Sequence, residues 1–340
     1  MNLREGMGFE NLSAQERQAY KVMLSAFSSM AVSFKCSQIS SGVDLMKVLN
    51  TVLGDNPSII YFDKTKLETE NSIFGKQIIL KGVHSKPQAE RMNLELNETV
   101  NKIVSSLRAK SNDEYSLLIN LYESIQKNVR YDKEEIQANS RGAIINLASH
   151  NAYGALVNKL AVCDGFSLAF ALLVQKLGFE CMLVVGRSTY ASTTFQEHAW
   201  NIVKIRNRYY HIDITLDTIK YNEFDEFSYV YFAVTDEEIS KDHNWNKTTI
   251  PVCSSSDFSY YARNGLYANT AEQLNEIIKA HVRKNANVFR IKLSRNINLP
   301  SNAENYLVQT VLNEVVKPGT RARASYGWNE NTKCFFAKII

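Results

Sequence analysis

The first third of the chain alternates between helical and strand-like spacing of apolar residues. Apolar positions recurring every three or four residues predict helices, and short apolar runs between turn residues predict strands. The predicted elements are helices at 13–30, 43–53 and 87–107 and strands at 59–62 and 73–83, and the two strands are expected to pair. Ser111 is predicted to be the N-cap of a further helix. We therefore expect a small α/β unit with a boundary near Lys110.

The middle third has the clearest pattern. Cys163 stands just before a predicted helix at 165–177, whose apolar stripe indicates burial and which Gly178 ends. Three strand-like runs follow, at 181–185, 198–205 and 209–215, and the last two are joined by a polar turn at 206–208. This order predicts a helix packed on an antiparallel sheet.

The last third becomes more polar after Cys253. Capping-box pairs at Thr270 and Ser301 predict two helices, Pro318-Gly319 is predicted to end the second, and strands are expected at 288–293 and 335–340. The predicted organisation is an N-terminal α/β unit at 1–110, a central core at 111–253 and a C-terminal α/β unit at 254–340.

Composition narrows the possible partners. The 340 residues carry a formal net charge of +4 without a basic run, so no nucleic-acid partner is expected. No apolar stretch reaches the roughly 18 to 20 residues that span a bilayer. The start of the sequence lacks the layout of a secretory signal, which favours the cytoplasm, although a leader preceding Met1 would make the protein secreted. The sequence does not indicate an oligomeric state.

The five cysteines are odd in number and widely spaced, so a disulfide framework is not expected. A thiol attacks an amide only as thiolate, and a helix N-terminus or a nearby imidazole can lower its pKa. Cys163 has both features available, and Gly165 beside it is expected to leave room for a substrate. The structural alternative is that Cys163 is a small core residue.

His198 and Asp213 are the candidate partners of this thiol. If the hairpin turn centres on Arg206-Asn207, Asp213 lies opposite Trp200, and the period-two alternation places Asp213 and His198 on one face. A carboxylate there could orient the imidazole toward the thiol. The pair could also be a satisfied polar contact at a sheet edge. His211 shares the face and could replace His198 as the base, or could form a two-histidine, one-carboxylate metal site with His198 and Asp213.

Three motifs carry a resemblance to a known family. They are AVCDGF at 161–166, EHAWN at 197–201 and YYHIDIT at 209–215, supported by AYGAL at 152–156, NVRYD at 128–132, YF at 231–232, DH at 242–243 and PVC at 251–253. Their order resembles the bacterial transglutaminase-like superfamily over roughly Ser111 to Cys253. The resemblance implies an α+β fold with a papain-like core, and a catalytic triad of Cys163, His198 and Asp213.

The resemblance implies a cysteine-dependent acyl enzyme acting on amide bonds of a protein or peptide substrate through a thioester. Water as acceptor would make it a peptidase or deamidase, which we favour, and an amine would make it a transglutaminase. The alternative is a binding module that kept the fold and lost turnover. No cofactor or metal is expected. Candidate residues of the oxyanion site and the substrate cleft are Asn158, Tyr153, Asp164, Gly165 and Trp200.

Overall fold

The computed structural model describes residues 3–29, 33–39, 42–63, 68–72, 75–189, 194–316 and 321–340. Contacts group the chain into two compact units. The first unit comprises Met1–Ser228 with His243–Cys253, and the second comprises Tyr229–Asp242 with Ser254–Ile340. The predicted division into parts at 1–110, 111–253 and 254–340 stays a prediction.

The first unit is rich in helices. They are Met7–Glu10, Ala14–Ser28, Leu45–Asp55, Lys86–Lys110, Glu114–Asn128, Lys133–Asn139, Cys163–Leu177 and Ile214–Phe224, with single turns at Leu147–His150 and Gly154–Asn158. The helix Glu114–Asn128 is capped by Asp113, whose carboxylate accepts the Ser116 N–H, so the prediction of Ser111 as N-cap is wrong. Carboxylates and hydroxyls both cap well, and sequence alone did not rank the two neighbours.

An N-terminal sheet holds the strands Ser33–Ile39, Gly75–Lys81 and Glu68–Ser72 in that spatial order, all antiparallel. The predicted pairing of 59–62 with 73–83 is wrong apart from a single bridge between Phe62 and Gly82. Residues 59–62 are instead buried, and the Tyr61 hydroxyl donates a hydrogen bond to the Phe27 carbonyl. A short, wholly apolar run is compatible with any buried segment, because its composition carries no period.

A central antiparallel sheet of the first unit contains four strands. Their spatial order is His243–Asn244, Glu180–Ser188, Gln196–Ile205 and Arg208–Ile212. The predicted hairpin is confirmed, since Ile205 pairs with Arg208 and the turn residues Arg206 and Asn207 have positive φ, as a two-residue type I′ turn requires. The last strand ends at Ile212, so its predicted extension to 215 is wrong: Asp213 caps the helix Ile214–Phe224.

The helix Cys163–Leu177 is almost entirely buried and contacts this sheet. Gly178 ends it with φ of 101°, a left-handed conformation that glycine adopts without strain. A short parallel pair, Arg130–Tyr131 with Leu160–Ala161, leads the chain into the helix. The fold is α+β with a helix on an antiparallel sheet, as predicted.

The second unit has its own sheet and core. The sheet order is Tyr267–Ala268, Val288–Leu293, Cys334–Ile339 and Ala324–Asn329, the helices are Asp236–Ile239, Tyr260–Arg263, Ala271–Arg283 and Ala303–Val315, and Phe232–Val234 is a further strand. Thr270 accepts the Gln273 N–H, so this predicted cap is confirmed. The second cap is not Ser301, because the helix begins after Asn302. Pro318-Gly319 lies outside the described residues.

Across the described ranges, the helices are too short or too polar to cross a membrane.

Candidate active site

Cys163 is the first residue of the helix Cys163–Leu177, which begins two residues before the predicted start at Gly165. The N-cap is Val162, whose side chain accepts no hydrogen bond, so it leaves the N–H groups of the first turn without a side-chain cap. These N–H groups favour negative charge on the sulfur or on an oxyanion beside it. Among cysteines with described side chains, Cys163 alone is partly exposed, while Cys181, Cys253 and Cys334 are buried.

The structure brings His198 and Asp213 together. The Nε2 atom of His198 lies 2.6 Å from Oδ2 of Asp213, and both side chains are buried. Because Nε2 is occupied by Asp213, Nδ1 is the ring nitrogen left for the Cys163 thiol, and His198 and Cys163 lie near enough to shift each other's pKa. The three residues thus form a row of sulfur, imidazole and carboxylate.

The side chains of this row shift one another's pKa values. Burial alone would lower the pKa of His198, but the charge and hydrogen bond of Asp213 raise it to about 9. Burial would raise the pKa of Asp213, and His198, with help from His243, holds it well below its usual range. His198 and Asp213 are therefore an imidazolium and a carboxylate at neutral pH.

The thiol behaves differently from the sequence-based expectation. Burial and the charge of the adjacent Asp164 raise the pKa of Cys163, and His198 opposes this rise only in part. The thiol donates a hydrogen bond of 3.3 Å to Oδ1 of Asp164. Cys163 therefore rests as a neutral thiol, although a helix N-terminus and an imidazole are both present.

His243 completes the surroundings of Asp213, although the sequence analysis does not name it as a site residue. Its Nε2 lies 3.0 Å from the same Oδ2 that binds His198, and its side chain is fully buried. Two imidazoles thus fix this oxygen, while Oδ1 accepts the N–H groups of Thr215 and Leu216. The DH motif at 242–243 was the available signal.

The histidine pairing expected for a metal site is not observed. His211 is buried and its Nδ1 accepts a hydrogen bond from the Trp200 indole at 3.0 Å, so His211 is a partner of the core rather than of Asp213. One group of side chains close enough to hold an ion is His198, Asp213 and His243. Ligands of a tetrahedral zinc stand about 3.3 Å apart, whereas the 2.6 Å separation of His198 and Asp213 fits a shared proton.

The remaining predicted residues have mostly structural positions. Trp200 is fully buried and stacks on His198 at 6.0 Å between ring centres. A Cβ at Gly165 would lie 2.2 Å from the Ser149 carbonyl oxygen, so the glycine makes room for this loop and not for a substrate. Asn158 is exposed at the end of the turn Gly154–Asn158, and the Tyr153 hydroxyl donates to Glu95. The described contacts connect neither Asn158 nor Tyr153 to Cys163.

Tyr131 is a further neighbour that the sequence did not single out. Its ring stacks on Phe166 at 6.5 Å. Burial and then the charges of Cys163, Asp164 and Asp213 raise the pKa of its hydroxyl. Tyr131 therefore remains a neutral hydroxyl beside the thiol at physiological pH.

Comparisons with known proteins agree with the motifs. Residues 101–214 match the family model of the Transglutaminase-like superfamily. Two solved structures are similar. A TGase is 17% identical with a TM-score of 0.34, and the match covers 44% of this chain and 43% of that one. A proposed cysteine protease from Cytophaga hutchinsonii is 12% identical with a TM-score of 0.27, and the match covers 44% of this chain and 61% of that one. The match thus spans less than two thirds of either protein. A search of curated proteins gives no significant match. The family model confirms the resemblance seen in the motifs over residues 101–214.

Proposed function

We propose that this protein is a cysteine-dependent acyl enzyme that cleaves amide bonds of protein or peptide substrates through a thioester on Cys163. The observation that carries the proposal is the 2.6 Å contact of His198 with Asp213 near the Cys163 thiol, which lies at a helix N-terminus. A nucleophile, a base and an orienting carboxylate in one row are the parts that covalent acyl transfer requires.

The protonation states suggest how the row would act. The Cys163 thiol first releases its proton to solvent, because His198 already carries one. The resulting thiolate attacks the amide carbon, and the first-turn N–H groups stabilise the oxyanion. The C–N bond breaks as His198, already an imidazolium, gives its proton to the leaving amine. Neutral His198 then takes a proton from the acceptor, which attacks the thioester and releases the Cys163 thiolate. Asp213 stabilises the imidazolium at the start and at the end of this cycle.

The acceptor decides the name of the reaction. Water would make the protein a peptidase or deamidase, and a primary amine would make it a transglutaminase. We favour water because it is the more general acceptor. The alternative is a binding module without turnover, and the raised pKa of Cys163 is the feature that favours it.

The test is the rate at which iodoacetamide labels Cys163, read by mass spectrometry of the peptide that contains it. We expect His198→Ala to slow labelling at least about tenfold at pH 7.5, because His198 lowers the pKa of the thiol and one pKa unit changes the thiolate fraction tenfold. His84→Ala, at a half-buried histidine before the helix Lys86–Lys110, is the matched control. Equal labelling rates of Cys163 in the wild type and in His198→Ala would refute the proposed enzymatic function.

A further inference from the structure

A second chain of hydrogen-bonded polar side chains, which does not include His198, also reaches Cys163. Oδ1 of Asp164 accepts the thiol hydrogen bond at 3.3 Å, and Oδ2 lies 3.3 Å from Nδ1 of His150. Nε2 of His150 lies 3.0 Å from Oε1 of Glu135. The sulfur therefore has two imidazole–carboxylate systems around it, and the proposed chemistry uses only one.

The outer end of this chain is anchored in the protein. Glu135 is fully buried, and its Oε2 accepts the N–H groups of Ile145 and Asn146 at 3.0 and 2.7 Å. The Asp132 carboxylate accepts hydrogen bonds from the Ser149 hydroxyl and the Asn146 side-chain amide. These bonds fix the turn Leu147–His150, which carries the histidine. Three carboxylates thus surround this turn, and a rigid shell of this kind holds a side chain where chemistry needs it.

The two carboxylate contacts of His150 fit the imidazolium form. An ionised carboxylate only accepts hydrogen bonds, so a histidine between two ionised carboxylates donates from both ring nitrogens. Glu135, His150 and Asp164 then carry charges of minus, plus and minus. The side chains of His150 and Asp164 are about one-tenth exposed, so solvent screens these charges little.

We propose that Asp164, held by His150 and Glu135, is a positioning residue that keeps Cys163 as a hydrogen-bonded neutral thiol at rest and thereby sets the pH at which the nucleophile becomes reactive. This inference rests on the proposed function, since it concerns the nucleophile of that reaction. We call this hold of Asp164 on the Cys163 thiol the latch. His150 weakens the latch, because its positive charge offsets part of the electric field that Asp164 exerts on the sulfur. The other ionisable groups that influence the thiol or its neighbours are His198, Tyr131 and Asp213.

Two substitutions in this chain should move the reactivity of Cys163 in opposite directions. Asp164→Asn removes a negative charge beside the sulfur, so the midpoint of the iodoacetamide pH profile should fall by about one unit or more. His150→Gln removes the positive charge and leaves Asp164 unbalanced, so the midpoint should rise. A residue that only supported the fold would shift both profiles alike or neither.

The experiment measures the labelling midpoint of Cys163 between pH 5 and 10 for the full chain and both variants. Glu180→Gln, which removes an exposed carboxylate paired with Lys204 in the same unit, is the matched control and should not move the midpoint. Should Asp164→Asn fail to fold, as judged by circular dichroism, Asp164→Ser removes the same charge with a smaller side chain. Shifts in one direction, or shifts no larger than that of Glu180→Gln, would overturn the latch.

The result is separable from the fate of the proposed function. If His198→Ala slows labelling while Asp164→Asn and His150→Gln leave the midpoint unchanged, the proposed function is supported and the proposed role of Asp164 is refuted. If the two variants shift oppositely while His198→Ala has no effect, Asp164 governs the thiol but the row with His198 and Asp213 does not activate it.

Discussion

At the scale of single residues, the ion pair of His198 and Asp213 makes folding depend on pH. The pKa of His198 is about 9 in the folded chain, against an ordinary value of 6.5. A raised histidine pKa means that the folded state binds the proton more tightly, so this stabilisation is complete below pH 6.5 and disappears as the pH rises through 9.

We therefore expect the difference in unfolding free energy between the chain with His198 and its His198→Gln variant to shrink between pH 6 and pH 9.5. Both chains should carry Cys163→Ala, so that titration of the thiol does not contribute. Urea unfolding at several pH values measures the gap. A gap that stayed constant over this range would mean that Asp213 does not raise the pKa of His198.

Residues of this site differ in how visible they are in the sequence. His198 and Asp213 sit on a long strand and just past the end of its hairpin partner, so alternation and the turn at Arg206 place them on one face. His243 belongs to a strand of only two residues, which has no period to read. His150 reaches Asp164 through a single turn of helix, and a motif of consecutive letters does not reveal such a contact.

At the scale of elements, Asp213 performs two tasks with its two oxygens. Oδ1 caps the helix Ile214–Phe224 through the N–H groups of Thr215 and Leu216, and Oδ2 binds His198 and His243. The sequence pattern was read as a strand through Thr215, because β-branched residues surround the aspartate. A capping carboxylate overrides that composition by satisfying the first N–H groups of a helix.

The two tasks can be separated by substitution. Asp213→Asn retains a capping oxygen but loses the charge, whereas Asp213→Ala loses both, so we expect Asp213→Ala to be less stable by about 1 kcal/mol. Both variants should slow alkylation of Cys163, because an imidazole without the carboxylate no longer stabilises the thiolate. Urea unfolding and peptide-level labelling give the two readouts.

Thr270→Ala is the control for this comparison, since Thr270 caps the helix Ala271–Arg283 in the second unit without any role at the site. It should lower stability by about 1 kcal/mol and leave alkylation unchanged. Equal stability of Asp213→Asn and Asp213→Ala would show that the cap contributes nothing, and wild-type labelling of Asp213→Asn would show that the charge does not orient His198.

At the scale of the whole molecule, the second unit is built from two separate stretches of chain. Tyr229–Asp242 lies within the range of the predicted catalytic core, yet its contacts group it with Ser254–Ile340. Lys292 and Glu238 illustrate the reason, since they are 54 positions apart and form a hydrogen-bonded ion pair. Composition along the chain reveals where polarity changes, but membership of a unit depends on distant pairs of this kind.

This pair should contribute to stability in an asymmetric way. The Lys292 side chain is 4% exposed and Glu238 is 25% exposed, so removing the acid leaves the more deeply buried charge without a partner. We expect Glu238→Gln, which keeps a capping side chain for Thr235, to cost about 3 kcal/mol. Adding Lys292→Met should restore most of that loss, because no unpaired charge then remains in the core.

Urea unfolding of the two single variants and the double variant measures the coupling. Glu276→Gln, at an exposed pair with Lys279 in the same unit, should cost about 0.5 kcal/mol or less. The pH dependence gives an independent check. Burial would raise the pKa of Glu238, but Lys292 holds it below 4.5, so the contribution is complete above that pH and is lost on acidification. Additive effects of the two substitutions would mean that Tyr229–Asp242 is not tied to the second unit by this pair.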